Sequence, residues 1–203
     1  MSQRIFLLSP ASCAGRRAQI LLRDGAAFEL AHRLHSPAGV PIGEVFAFLS
    51  GLYFRSKLTY ARRFASPPPD FPGAFVITTA AGLWPTEAKV TLADLRRFAT
   101  VDVDPKDSRY AGPLTRDALS LALSAAPAAE IILLGSIATG KYRDVLLPLF
   151  GERLLYPLEF VGRGDMSRGG LLLRKAREGR ELSYESVTSG PRTGSRPPKL
   201  LHS

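Results

Sequence analysis

The sequence predicts an α/β fold, a three-layer arrangement in which a mainly parallel central sheet lies between helices. Two observations carry this expectation. Short apolar runs such as Ile5-Phe6-Leu7-Leu8, Ala74-Phe75-Val76-Ile77 and Ile131-Ile132-Leu133-Leu134 have no polar alternation, as befits strands buried on both faces. Stretches with apolar residues at helical spacing separate them, the alternation that builds parallel sheets.

Residues 4–8 read as the first strand. Ser9-Pro10-Ala11-Ser12 is a turn before a helix near residues 16–23, and a second helix covers residues 27–34. After the Pro and Gly punctuation of residues 36–43, residues 44–64 carry Val45, Phe46, Phe48, Leu49, Leu52 and Tyr53 at helical spacing, with Gly51 as a candidate break. Ser66-Pro67-Pro68-Pro69 is a stiff connector into a second strand, residues 74–78. Thr91 and Asp94 form a variant capping box ahead of residues 95–99, and residues 115–125 are a further amphipathic helix. Strands follow at residues 131–134 and 154–156, then a helix near residues 170–177 and a last strand at residues 182–187. Residues 188–203, rich in Gly, Pro, Ser and Arg, are expected to be a disordered basic tail behind a single domain of residues 1–187.

A chain of 203 residues with 45% hydrophobic content suffices for one core. No apolar run approaches the roughly 20 residues that cross a bilayer, and no membrane association is expected. Arg4, four apolar residues and Cys13 superficially suggest a lipoprotein signal, but the apolar part is too short. With Cys13 the only cysteine, no internal disulfide can form, and a cytoplasmic location is expected. The net charge of +9 points to an anionic partner, a nucleotide or nucleoside phosphate or nucleic acid. His32, His35 and His202 fall at no metal-ligand spacing, so neither a metal nor a cofactor is expected, and no serine-hydrolase elbow is present.

Ligands of open parallel sheets sit outside the carboxyl ends of the strands, which selects four loops: residues 9–15, 79–84, 135–141 and 157–170. The densest motif is Gly135-Ser136-Ile137-Ala138-Thr139-Gly140-Lys141-Tyr142, which matches the phosphate-loop signature except at its last position. There Tyr142 stands where a hydroxyl would hold magnesium, no later strand ends in the metal-site Asp, and the motif lies too far along the chain. A degenerate nucleoside triphosphatase is therefore the weaker reading, and an ordinary strand-turn-helix corner the stronger. Gly162, Arg163, Gly164, Ser167 and Arg168 form a glycine-rich, arginine-bearing run ahead of a helix, suited to an oxyanion, or else merely a solvated surface loop. Ser9 and Ser12 follow the first strand as phosphate contacts. Cys13, beside Gly15-Arg16-Arg17, reads as a small buried hydrophobe more than as a reactive thiol. Tyr53, Lys57 and Tyr60 share one helix face while Arg55 points elsewhere, a pattern of core edge with snorkelling cations. Tyr53 and Trp84 are the base-stacking candidates, and Asp165 is the candidate general base.

From residue 131 to 173 the order of strand, Gly135, Tyr142, Leu146 or Leu147, Pro157-Leu158-Glu159, Gly162 and Gly169 or Gly170 before an apolar helix resembles a group of uncharacterised bacterial Rossmann-like α/β domains. The aromatic-Arg-Lys helix of Tyr53 to Lys57 and the Ala81-Gly82-Leu83 turn share in that resemblance, which spans residues 4–187 in outline. It implies a Rossmann-like fold and no particular reaction, with a looser likeness to nucleoside- or base-processing glycosidases. The resulting expectation is a protein that binds a nucleotide, nucleoside or nucleic-acid phosphate through Ser9, Ser12, Gly135, Ser136, Lys141, Tyr142 and the 162–168 run. If catalytic, it would act on a glycosidic or phosphoester bond with Asp165 assisting. The alternative is a non-enzymatic basic module that binds nucleic acid.

Overall fold

Residues 5 to 8 are wholly buried, and the strand they form, β1 (Arg4–Leu8), lies inside the sheet with neighbours on both edges. The computed structural model describes residues 3–191 and 193–195. After β1 the chain forms α1 (Arg16–Leu22), α2 (Glu29–His35), the two-residue β2 (Val40–Pro41), α3 (Ile42–Ser50) and α4 (Leu52–Phe64). Gly51, at φ +62°, separates the last two where the sequence marks a break. Next come β3 (Ala74–Ile77), β4 (Leu83–Pro85), β5 (Lys89–Val90), α5 (Leu92–Ala99), α6 (Ser108–Ser124), β6 (Glu130–Leu134), α7 (Gly140–Phe150), β7 (Leu154–Pro157), α8 (Asp165–Glu178) and β8 (Tyr184–Ser186).

The main sheet runs β4-β3-β1-β6-β7-β8. Its inner strands β3, β1, β6 and β7 are parallel, with Leu8 level with both Val76 and Leu134, and the edge strands β4 and β8 are antiparallel. The protein is thus an α/β fold with a mostly parallel central sheet. Crossovers between parallel strands are right-handed. The chain moves from β1 to β3 in one direction and from β6 to β7 in the other, so the connecting helices fall on opposite faces. In agreement, α4 packs against α8, and α6 against α7.

Three departures from expectation have local causes. The loop expected at residues 79–84 closes early into a hairpin, because Thr78 N–H and Oγ1 both donate to the Gly82 carbonyl and Leu83–Pro85 pairs with β3. α6 starts at Ser108, not 115: Asp107 caps the Arg109 amide, and Pro113 is accommodated within the helix. α8 starts at Asp165, not 170, so its glycines lie inside the helix. A Cβ on Gly169 would stand 3.2 Å from Leu52 Cγ and 3.3 Å from Ser56 Oγ, and this lack of side chain lets α8 lie close on α4. The Thr91 and Asp94 capping box forms as read, each side chain accepting from the other's amide.

The first residues of the expected disordered tail are tied to the sheet edge. Thr188 Oγ1 donates to Glu152, and the Pro191 carbonyl accepts from Tyr156. The remainder of that tail at residue 192 and residues 196–203 lies outside the described residues.

Candidate functional site at the β1–β6 switch

β1 and β6 are adjacent and parallel, yet the chain leaves them toward opposite faces of the sheet. Such a switch opens a crevice beyond the strand ends. A cavity of about 520 Å³ occupies it. Ser9 and Ser12 line it from the turn after β1, and Ser136, Thr139, Lys141 and Tyr142 from the β6–α7 corner. Tyr53 of α4 and Asp165 at the start of α8 complete the wall. Thr139, the N-cap residue of α7, lines the cavity and makes no side-chain capping bond.

Behind Ser9 lies Lys57, 1% exposed and set in the middle of the apolar face of α4. Its Nζ is 2.6 Å from the Ser9 carbonyl oxygen and 2.7 Å from Ser9 Oγ. The rings of Tyr53 and Phe54 stand 4.4 and 5.0 Å away. Among the described residues no carboxylate forms an ion pair with it; the nearby Asp165 pairs with Arg168 at 3.7 Å. Burial pulls the lysine down to about 7, the Asp165 charge opposing this and the Arg168 charge adding to it.

Tyr53 is buried, and its Oη has no hydrogen-bond partner among the described residues. Arg168 faces the phenol without meeting hydrogen-bond geometry, and burial raises the phenol to about 12. A buried polar atom without a partner is costly; Tyr53 borders the cavity, but its Oη is itself closed to solvent. Burial likewise raises Tyr142, whose hydroxyl approaches Ser9. Gly135 keeps these two side chains together: a Cβ there would stand 3.1 Å from Ser9 Cβ and 3.4 Å from the Tyr142 ring.

The structure therefore gathers Ser9, Ser12, Ser136, Lys141, Tyr142, Tyr53 and Asp165 around one cavity, with Gly135 beneath them. The 162–168 run is divided. Gly162, Arg163 and Arg168 line a smaller cavity of about 250 Å³ on the other side of the 136–139 corner, beside Ile137 and Ala138. Ser167 and Arg168 are helical, so the Arg168 amide bonds to Gly164 and cannot form an anion nest. The guanidinium groups are also occupied: Arg163 donates to Glu159 O and Ser167 Oγ, and Arg168 to Phe160 O while stacking on its ring. Trp84 packs edge-to-face on Phe98 and does not line the larger cavity.

Reading the residues in order misses Lys57 as a member of the site. The available signal is a lysine centred on the Tyr53–Tyr60 face, where snorkelling to solvent is the commoner outcome. Only the register of α4 against β1 turns it inward onto Ser9. Among the described residues no group of three His, Cys, Asp or Glu side chains could hold a metal ion, and no helix is long and apolar enough to cross a membrane. No known protein family, curated protein or solved structure matches the chain.

Proposed function

We propose that the protein binds a small anionic ligand of the nucleotide or nucleoside phosphate class in the cavity between β1 and β6. The observation that carries this reading is the convergence of Ser9, Ser12, Ser136, Thr139 and Lys141 on one cavity at the ends of β1 and β6. Hydroxyls suit phosphate oxygens, and Lys141 supplies positive charge. The parallel strands follow the order second, first, third, fourth in the chain, which supports a Rossmann-like reading of the fold with its ligand at the switch point.

Titration calorimetry of the full chain with inorganic phosphate, AMP and GMP tests this. Saturable binding is expected, and Lys141→Ala should weaken it about tenfold, the loss of one charge-assisted contact. Lys141 is exposed, so the variant should retain its fold. Absence of binding at millimolar ligand would overturn the reading. The net charge of +9 favours a second reading, nucleic acid. In that case oligonucleotides bind with an affinity that falls steeply with salt, and single nucleotides do not.

A further inference from the structure

A serine and a buried lysine are joined at the floor of the cavity in an arrangement that ligand binding alone does not require. Ser9 is only 6% exposed, yet it lines the cavity, and its hydroxyl touches an amine that has no counter-ion among the described residues. As an ammonium, Lys57 donates to both Ser9 oxygens. As a neutral amine it has two N–H groups and one lone pair: it can keep its bond to the Ser9 carbonyl and accept the Ser9 hydroxyl proton across the same 2.7 Å contact. A hydroxyl within hydrogen-bond reach of a base that is itself held by another group is the signature of an activated nucleophile, and serine–lysine pairs are among its known forms. Here the Ser9 carbonyl fixes the base, and the phenyl ring of Phe54 and the ring of Tyr53 pack against it.

We propose that Ser9 is a covalent nucleophile activated by Lys57, and that the substrate is a phosphate ester whose phosphoryl group passes through Ser9 Oγ. In the first step the Ser9 proton moves to Lys57 Nζ as Oγ bonds to phosphorus, and the phosphorus–oxygen bond to the leaving alcohol breaks. That alcohol leaves with the proton that Lys57 had taken. In the second step water bonds to phosphorus, giving its proton to Lys57. The Oγ–phosphorus bond breaks, and Lys57 returns the proton to Ser9, so that the sum is hydrolysis of one ester bond. Negative charge that develops on the phosphoryl oxygens is offset by Lys141, which lines the same cavity as Ser9.

The charged and titratable groups around the pair are Tyr53 on its own helix, Tyr142 on α7, and Asp165 and Arg168 on α8. Both phenols are held above their ordinary range by burial and stay neutral near pH 7. The proton that controls reactivity near neutrality is therefore that of Lys57.

The proposal rests on the phosphate reading of the same cavity, and a fluorophosphonate probe separates the two. With this probe the Ser9 oxygen–phosphorus bond forms and fluoride leaves, so the adduct is stable and can be located by peptide mass spectrometry. The expected result is an adduct on Ser9 of the full native chain, formed at a rate that rises with pH about a midpoint near 7. AMP and inorganic phosphate should slow it, and Lys57→Met should reduce it about 100-fold. Should Lys57→Met fail to fold, the midpoint measured on the unaltered chain still decides. No adduct on Ser9, or a rate flat from pH 5 to 9, overturns the nucleophile while calorimetric phosphate binding stands. An adduct that neither AMP nor phosphate slows overturns the phosphate-ester assignment.

Discussion

Lys57 Nζ reaches both the carbonyl and the hydroxyl oxygen of Ser9, two residues 48 positions apart in the chain. The strand end and the helix are brought together because α4 crosses back over β1 on its way to β3, and α8 packs closely on α4 at Gly169, beside Leu52, Tyr53 and Ser56. A lysine so enclosed changes stability as well as reactivity, with a sign that can be measured.

In the unfolded chain Lys57 holds its proton up to its ordinary value of 10.5, whereas in the folded chain it releases it near 7. Between those values the unfolded state binds more protons, so rising pH favours folding, at up to about 1.4 kcal/mol per pH unit. Lys57→Met removes this dependence. Urea unfolding of the two proteins should show the variant ahead by a margin that is largest below pH 7 and shrinks toward pH 10. A margin independent of pH would show that the amine is hydrated in the folded state.

Gly82 is placed where no side chain fits. It turns the β3–β4 hairpin at φ +76°, and a Cβ there would stand 2.6 Å from the Pro113 carbonyl oxygen and closer still to the Asp117 carboxylate that receives the Leu83 amide. Gly82→Ala should cost about 2 kcal/mol or more, from backbone strain together with displacement of α6. The denaturation midpoint should fall with its slope unchanged; an unaltered midpoint would refute the tight hairpin contact.

Cys13 is 6% exposed, and burial pushes its thiol up to about 12, despite the neighbouring Arg16 and Arg17. The thiolate is the reactive form. Iodoacetamide at pH 8 should therefore modify the native protein about 100-fold or more slowly than the guanidinium-unfolded chain. Comparable rates would mean that the turn after β1 is open to solvent.

The four parallel strands, the helix break at Gly51 and the Thr91–Asp94 capping box were all legible in the sequence. Each follows from local preferences: continuous β-branched and aliphatic runs, a residue without Cβ, and a hydroxyl three positions before a carboxylate. The edge strand β4 and the early start of α8 were not. Hairpin closure there depends on Thr78 meeting Gly82, and Gly169 serves helix packing although glycine ordinarily signals a loop. For the site, residue types pointed to Ser9, Ser12, Ser136 and Lys141, since polar residues just beyond apolar strands fall at the carboxyl edge of a parallel sheet.

What the sequence determined by itself was the set of strands and helices and the edge of the sheet on which polar loops gather, because periodicity and turn chemistry act over a few residues. Tertiary structure alone decided that Lys57 turns inward onto Ser9, that Tyr53 Oη is buried without a hydrogen-bond partner among the described residues, and that Arg163 and Arg168 serve the backbone around Phe160 and Glu159. Those outcomes depend on the depth and register at which α4 and α8 dock on the sheet. Desolvation and hydrogen-bond partnership arise between elements distant in the chain, and no local pattern encodes them.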